Sequence, residues 1–405
     1  TVIRSTVCRN QYKEQKEHSM KQKKALMTAS VASMIDLFNM DNIHILQELG
    51  YEVHVAANFE FGSITSKERV SRFRNELEAA GIRTFHIEIP RNITDMKGIC
   101  SSYQKMKKLC EQERYDLIHT QSPIGGVVAR LAAKKMRKHG TKVIYVAHGF
   151  HFYAGAPKKN WVMFYPVEKM LSRYTDVLIT INQEDYQRAE KFYAKEVYYV
   201  PGIGIDIHKY ETSEADRQSV RNTFGFTEDD FVIMSVGQLS KRKNQKTVIR
   251  AMAEIPDEKV KYLIVGLGEK EDSDRQLIDQ LDLKTRVVLA GYREDIKELL
   301  HAADAFVFPS LQEGLPVALM EAMAAGLPSV SSRIRGNVDL ISDGIEGKLV
   351  EPMDIRGYAQ AVMELERQPS VREKLIANSK RKIQQFSIEY VHEKMKQIYL
   401  TIGKN

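Results

Sequence analysis

"EGLPVALMEAMAAG", Glu313 to Gly326, sets two carboxylates in a stretch that is otherwise aliphatic and bounded by glycine. Gly326, Leu327 and Pro328 together stop a helix, and Pro316 suits a first turn, where its missing N–H costs nothing. The spacing therefore predicts a helix over Pro316–Ala325. Glu313 then stands in the loop before it and Glu321 inside it, roughly 10 Å apart along the axis at about 1.5 Å per residue. The N-terminus of such a helix presents free N–H groups and a partial positive charge suited to phosphate. A ligand with hydroxyls at both ends and phosphate between them fits this arrangement. A helix whose glutamates simply face water fits the same letters.

Outward from this segment, short apolar runs alternate with amphipathic stretches. "KALMTASV" (Lys24–Val31), "YEVHVAAN", "RTFHIEIP", "YDLIHTQSP", "KVIYVAHG" and "DVLITIN" read as strands of a first half. "FVIMSVG", "KYLIVGLG", "RVVLAGY", "AFVFPS" and "PSVSS" read as strands of a second. Regular alternation of this kind makes parallel sheets covered on both faces. The expected fold is α/β, two Rossmann-like domains facing a central cleft, with ligands beyond the carboxyl ends of the strands. "YVPGIGIDIHKY" (Tyr199–Tyr210) marks the boundary. The expected organisation is a first domain over 20–205, a second over 206–385 and a terminal helix over 386–405. Residues 1–19 read as a disordered or artefactual basic lead-in ahead of Met20.

The chain has 405 residues, of which 43% are hydrophobic, enough for two cores. Three cysteines with no metal-like spacing point to a reducing, cytoplasmic setting. No apolar run is long enough to span a bilayer, and no signal peptide is evident. The net charge of +7 divides unevenly, with +10 in residues 1–200 and −3 in the rest. The excess gathers in "YQKMKKL" (Tyr103–Leu109) and "RLAAKKMRKHGTK" (Arg130–Lys142). Solvated helix faces account for it, as does an anionic membrane surface or acceptor. The segments lack the aromatic-basic pattern of a nucleic-acid module, so no nucleic-acid partner is expected.

Several polar groups fall at strand ends. Gly237 and Gln238 open a turn followed by Lys241, Arg242 and Lys243, a cationic cluster suited to a diphosphate. His148 ends another strand, with His151 near it. "VGLGEKED" begins like a dinucleotide fingerprint, but Glu271 occupies the third glycine position, which argues against NAD. Asp272–Asp274 resembles a metal-binding Asp-x-Asp, yet it lies where a helix needs a cap, and capping is the expected role. "NWVMFYPVEKMLSRY" (Asn160–Tyr174) is amphipathic and carries the single tryptophan. It reads as core packing or as an interfacial membrane contact in which Trp161 and Phe164 dip into the lipid.

These motifs resemble the retaining glycosyltransferases of family 4, which have the GT-B fold. "VGQLSKRKN", "VGLGEK", "GYREDIKELLHAADAFVFPSLQEGLPVALMEAMAAGLPSV" and "GIEGKLVEPMD" carry the resemblance across Phe231–Asp354. "ELGYEVHVA", "YDLIHTQSP" and "VIYVAHG" extend it more loosely through the first half. The whole pattern is similar to bacterial enzymes of capsule and exopolysaccharide assembly. The resemblance implies that Glu313 holds the donor sugar hydroxyls, Glu321 the ribose hydroxyls, and Lys243 the diphosphate. It implies that His148 reaches the donor sugar from the first domain. Gly237, Gln238, Arg242, Gly314, Leu315 and Val317 would line the donor, with Tyr292 and Arg293 at the base. It further implies that the C-terminal helix returns to the first domain.

The chain departs from the family pattern in three places, one of them Pro316, which lacks the N–H another residue would offer. Gln238 replaces a frequent arginine, whose charge Arg242 or Lys241 would supply. "SVASM" (Ser30–Met34) replaces a glycine pair near the diphosphate. The expected activity moves a sugar from a UDP-sugar to a lipid-linked or oligosaccharide acceptor by front-face displacement, with no cofactor and no metal. A nucleotide-sugar epimerase and a non-catalytic sugar-nucleotide scaffold are the alternatives. The expected location is the cytoplasm, peripheral on the inner membrane face.

Overall fold

Residues 22–60 and 65–404 are described in the computed structural model, so the lead-in over 1–19 lies outside the described residues. Runs apolar on both faces become central strands, since a parallel strand is covered above and below. All eight residues of β1 (Lys24–Val31) but the first are buried. The first sheet adds β2 (Glu52–Asn58), β3 (Arg83–His86), β4 (Leu117–Gln121), β5 (Lys142–Ala147), β6 (Val177–Thr180) and β7 (Glu196–Tyr199). Its order is β3-β2-β1-β4-β5-β6-β7, with parallel pairing throughout. The second sheet has β8 (Phe231–Val236), β9 (Val260–Val265), β10 (Val287–Gly291), β11 (Ala305–Phe308), β12 (Ser329–Ser332) and β13 (Lys348–Val350). Its order is β10-β9-β8-β11-β12-β13, again parallel. The order reverses beside β1 and β4 in one sheet and beside β8 and β11 in the other. Such a reversal opens a crevice at the carboxyl ends of the strands. This is the GT-B arrangement.

Two edge strands escape the sequence pattern. β7 and β13 are four and three residues long, and neither forms an apolar run. Edge strands need only one neighbour, so their sequences carry a weaker signal.

The chain leaves the first unit and returns to it at one place. Ile205 N–H donates to the Phe386 carbonyl at 3.0 Å, and Ile388 N–H donates to the Ile205 carbonyl at 3.0 Å. The helix Ile388–Lys404 then packs on the first sheet's core. Val391, Met395, Ile398 and Tyr399 join Ala25, Met27, Ile43 and Leu46 in one buried cluster. The Tyr399 hydroxyl lies 2.7 Å from His119 Nδ1, on β4. Lys396 meets Glu48 at 3.2 Å and His392 meets Asp41 at 3.0 Å along the same seam.

Burial pushes the His119 pKa down to about 3 and that of His148 down to about 4. Each ring is held neutral in the fold but takes up a proton near pH 6.5 once unfolded. Stability from these groups is therefore full above about pH 6.5 and is lost as pH falls toward the folded-state values. The melting temperature should drop between pH 6.5 and 4, and His119→Asn should flatten that slope; an unchanged slope would remove His119 as a cause.

Candidate active site

The helix of the opening segment runs over Val317–Ala324, one residue shorter at each end than its letters predict. Pro316 is its N-cap, at φ −83° and ψ 112°, and not its first helical residue. The extended ψ keeps Pro316 outside the helix. Gly326, at φ 77°, ends the turn in the left-handed conformation that glycine tolerates.

Glu313 is buried, and its carboxylate is already paired. Lys243 Nζ lies 2.8 Å from Glu313 Oε1, and Arg242 Nη1 lies 2.9 Å from the same oxygen. Arg242 also donates to the Gln312 carbonyl at 3.0 Å. Lys243 sits over the Phe308 ring, 4.5 Å from its centroid. Burial lowers the Lys243 pKa, while Glu313 opposes the shift. The two residues that the resemblance assigns to diphosphate and sugar thus form an ion pair with each other. Lys241 does not join them. It turns into a separate cavity of about 350 Å³ between the helices Gln245–Glu254 and Glu271–Gln280. Of the two cations, Arg242 is the one placed at Glu313, and the Gln238 side chain is exposed.

The loop bearing Lys243 nests on the loop after β9. Gly237 N–H donates to the Val265 carbonyl at 2.9 Å and Leu239 N–H to the Leu267 carbonyl at 3.0 Å. A Cβ on Gly266 would lie 2.1 Å from the Gly237 oxygen, so only glycine fits there. The glycines of "VGLG" thus serve loop-on-loop packing. Gly266 N–H donates to the Gly291 carbonyl at 2.8 Å, which brings Tyr292 and Arg293 beside this loop. Tyr292 is 68% exposed. Arg293 is held by Asp295 at 2.8 Å through Nε.

Glu321, inside the helix, accepts a hydrogen bond from the Tyr210 hydroxyl at 2.7 Å. Burial raises the Glu321 pKa, against the Tyr210 bond and nearby Lys209. Tyr210 gave no sequence signal, because its position in the interdomain linker is set only by folding.

The loop carrying His148 approaches from the first sheet. The neutral His148 ring donates from Nε2 to Gln121 Oε1 at 2.7 Å, which leaves Nδ1 as an acceptor. The loops carrying His148 and Gly314 touch directly: a Cβ on Gly314 would lie 2.7 Å from the His148 oxygen. Leu315 packs against Gly202 in the linker, where a Cβ would approach to 2.9 Å. Val317, the first helical residue, is 37% exposed.

Arg335 joins the two halves, and sequence reading missed it. Its Nη1 donates to the Phe150 carbonyl at 2.9 Å and to Asp185 Oδ1 at 3.0 Å, and its Nε donates to the Glu313 carbonyl at 3.2 Å. Both ends of the ion pair are buried, at 4% and 0% side-chain exposure. Burial raises the Asp185 pKa, held back by Arg335, the Phe150 N–H and the Asn182 amide. "SSRIRGN" holds no signature that separates Arg335 from a surface arginine. Beside it, a cavity of about 260 Å³ is lined by Tyr153 and Glu184 from one half and by Glu313 and Arg333 from the other.

Three expectations are corrected. Asp272–Asp274 does not cap its helix: the helix starts at Glu271, so these residues form its first turn, where acidic groups meet the positive end of the dipole. Burial lifts the Asp274 pKa to about 6. Trp161 and Phe164 do not point outward. Trp161 packs against Phe152 at 5.7 Å beneath Arg188, and Phe164 packs against His151 at 4.7 Å. Not all of the Arg130–Lys142 cluster is solvated. Arg130 is buried against Glu168 at 2.9 Å and Arg137 pairs with Asp176 at 2.8 Å, so both are structural.

The chain matches the family model described as glycosyl transferases group 1 over residues 216–382 and that described as glycosyltransferase family 4 over residues 42–208. It is 36% identical over 382 residues to EpsD of Bacillus subtilis, named as a glycosyltransferase, covering 93% of this chain and 96% of that one. The chain is a family 4 glycosyltransferase. The epimerase alternative falls with that assignment. A second relative, 31% identical over 80% of this chain and 85% of its own, is the Escherichia coli UDP-Gal:α-D-GlcNAc-diphosphoundecaprenol α-1,3-galactosyltransferase. In fold, this glycosyltransferase is similar to Anabaena Alr3699/HepE, crystallised in complex with UDP. The TM-score is 0.74 at 22% identity, covering 94% of this chain and all of that one.

Arg335→Met and Asp185→Asn should each cost about 3–5 kcal/mol, since each strands a buried charge or donor. The double variant should cost less than the sum. Thermal melting and small-angle scattering would show a less stable, wider particle; single variants that melt and scatter like the parent would mean that the pair does not hold the halves together.

Proposed function

We propose that this glycosyltransferase moves a sugar from a UDP-sugar to a lipid-linked or oligosaccharide acceptor during assembly of a surface polysaccharide, with retention at the anomeric carbon. The observation that carries the reading is the Lys243–Glu313–Arg242 group, held at 2.8 and 2.9 Å where the His148 loop meets the Gly314 loop. The names of the E. coli relative and of the Anabaena complex supply the UDP and the lipid-diphosphate class by likeness.

On this reading the donor diphosphate draws Lys243 away from Glu313. Lys243 and the N-terminus of the helix Val317–Ala324 then stabilise charge on the leaving phosphate. The backbone of Gly314, Leu315 and Val317 faces the phosphate and sugar, and the freed Glu313 carboxylate accepts from donor sugar hydroxyls. Gly237 leaves room for the diphosphate, and the Gln238 backbone borders it. Glu321, oriented by Tyr210, takes the ribose hydroxyls, and Tyr292 and Arg293 flank the base. The bond from the anomeric carbon to phosphate oxygen breaks as the acceptor oxygen attacks on the same face. The acceptor proton passes to the departing phosphate oxygen. His148, neutral through burial, offers a hydrogen-bond acceptor to the sugar without repelling Lys243. Lys243 and the helix terminus supply the positive charge, so the reading needs no metal ion.

Glu313→Ala and Lys243→Ala should each lower turnover at least about tenfold, because each removes more than about 1.4 kcal/mol of transition-state electrostatics. Near-parental rates for both on the true substrate pair would overturn the site assignment.

A peripheral membrane position belongs to the same reading. Among the described residues no helix is long and apolar enough to cross a membrane. The helix Lys158–Leu171, however, exposes Val162 (79%), Met163 (48%), Val167 (39%) and Met170 (52%) along one face. Exposed Lys158 and Lys159 stand at its start, and Lys169, Arg173 and Lys134 gather around Tyr165, Tyr193 and Tyr174 at its end. An apolar stripe between cations suits an anionic bilayer, where each cation contributes about 1 kcal/mol. Sedimentation with anionic vesicles should be strong at low salt, weaker at high salt, and at least about tenfold weaker for Val162→Glu/Met163→Glu. Equal recovery with neutral vesicles, or no effect of the double variant, would refute the membrane face.

A further inference from the structure

The cavity of about 350 Å³ that receives Lys241 lies on the far side of the second sheet from the helix bearing Glu321. It opens between the helices Gln245–Glu254 and Glu271–Gln280, whose Val248, Met252 and Ile278 pack with Ile233 and Ile264. The helix Val317–Ala324 packs through Leu319 and Met320 with Met234 and Leu263. Neighbouring strand residues point to opposite faces, so the two helix layers cover opposite sides of the sheet. What the cavity shares with the donor groups is the loop after β8. Ser240 and Lys241 line the cavity, while Arg242 and Lys243 reach Glu313. Both helix starts brace that loop. Gln245 Nε2 donates to the Gln238 carbonyl at 3.1 Å, and Lys270 N–H donates to the Leu239 carbonyl at 3.1 Å.

The wall of the cavity is cationic. Lys241, Lys246, Arg250 and Lys270 line it, and among the described residues none of the four is ion-paired. Lys246 and Arg250 stand one turn apart on one helix, where like charges repel. A solvated basic face would account for cations on open surface, but here they converge on a concave wall that also holds a buried acid. Asp274 is 4% exposed and is the single carboxylate in that wall. Burial raises its pKa to about 6, opposed by Lys270 and Lys246, and no hydrogen bond to its carboxylate contributes. A buried carboxylate without a donor costs free energy, and so do unpaired cations held around it. A ligand bearing both anionic oxygens and hydroxyl groups would relieve both. The volume falls within the range of small-molecule sites, about 300–1,000 Å³.

We propose that this cavity is an effector site for a small phosphate ester bearing hydroxyl groups, and that its occupancy tightens donor binding. The phosphate oxygens meet Lys241, Lys246, Arg250 and Lys270, and a hydroxyl of the ester donates to Asp274. An ester that bridges Lys241 to Lys270 ties the loop at two supports, so a donor orders Arg242 and Lys243 at lower cost. The ester's binding stands apart from the glycosyl-transfer reading; its effect on the donor rests on that reading.

The test is titration calorimetry of the full chain with glucose 6-phosphate, adenosine monophosphate, inorganic phosphate and glucose, each with and without saturating UDP. At least one ester should bind about tenfold more tightly than inorganic phosphate or glucose, since it alone supplies both kinds of contact. The tighter of the two esters tells whether the source is a sugar phosphate or a nucleotide. UDP should leave that ester bound, and the ester should raise UDP affinity at least about fivefold, the low end of ordinary coupling between sites. Lys246→Gln/Arg250→Gln, at exposed positions, should weaken the ester at least about tenfold and abolish its effect on UDP, while UDP affinity without ester stays within about twofold. Asp274→Ala should reduce the ester's advantage over inorganic phosphate. Melting curves verify the fold of each variant. The proposal is overturned if neither ester binds better than inorganic phosphate, or if UDP displaces the ester, which would place it in the donor cleft. A double variant that binds the ester like the parent, or an ester that leaves UDP affinity unchanged, overturns it equally. If UDP binds in neither state, the donor reading fails, and the double variant still decides whether the ester occupies this cavity.

Discussion

Arg335 bonds the two halves to one another, and the placing of the Glu313 loop against the first half depends on that hold. One guanidinium bonds the Phe150 carbonyl and Asp185 from the first half and the Glu313 carbonyl from the second. Two charges taken from water recover their solvation only when geometry and further hydrogen bonds are good. Here the partners are two backbone carbonyls and a carboxylate, and the carboxylate also accepts from the Phe150 N–H and the Asn182 amide. The Phe150 and Glu313 bonds fix the loops after β5 and β11 at contact distance. That contact is tight enough that Gly314 admits no Cβ against the His148 carbonyl. A cleft built from two independent cores thus meets at one buried ion pair, together with the paired crossing at Ile205 and Phe386–Ile388.

The C-terminal helix completes the coupling from the far side. Its apolar residues enter the first core while its start lies against the linker at Ile205. Any rotation of the second unit is therefore referred to a segment anchored in the first. Buried, neutral His119 beneath Tyr399 makes that anchor sensitive to acid.

Much of this was legible in the sequence, and the reason is local. Both sheets were readable because buried parallel strands are continuous apolar runs, and "EGLPVALMEAMAAG" was readable because a helix stop and a glutamate pair lie within fourteen letters. β7 and β13 were not, since short edge strands bury little. Arg335, Asp185 and Tyr210 were not, because their roles come from partners 150, 150 and 111 positions away. Trp161 was left between core packing and a membrane contact for a different reason. An amphipathic helix with mixed aromatics and aliphatics shows two faces, and only packing decides which turns inward. The flat aromatics found ring partners in Phe152 and His151, and the aliphatics were left outside.

The pairing of Lys243 with Glu313 explains how a cationic site and an acidic site coexist in one small volume. A buried lysine alone would lose its charge, and a buried glutamate alone would be costly to ionise. Held at 2.8 Å, with Arg242 on the same carboxylate oxygen, the two groups partner each other within the buried volume. A ligand that brings both an anion for the cations and hydroxyls for the carboxylate replaces the pair's internal bonds without stranding either member. A phosphate lacking hydroxyls leaves the carboxylate unsatisfied, and a sugar lacking phosphate leaves the lysine so. On the proposed reading, a site built this way selects for a molecule carrying both groups at adjacent positions, and the selectivity arises from the cost of the buried partner left behind.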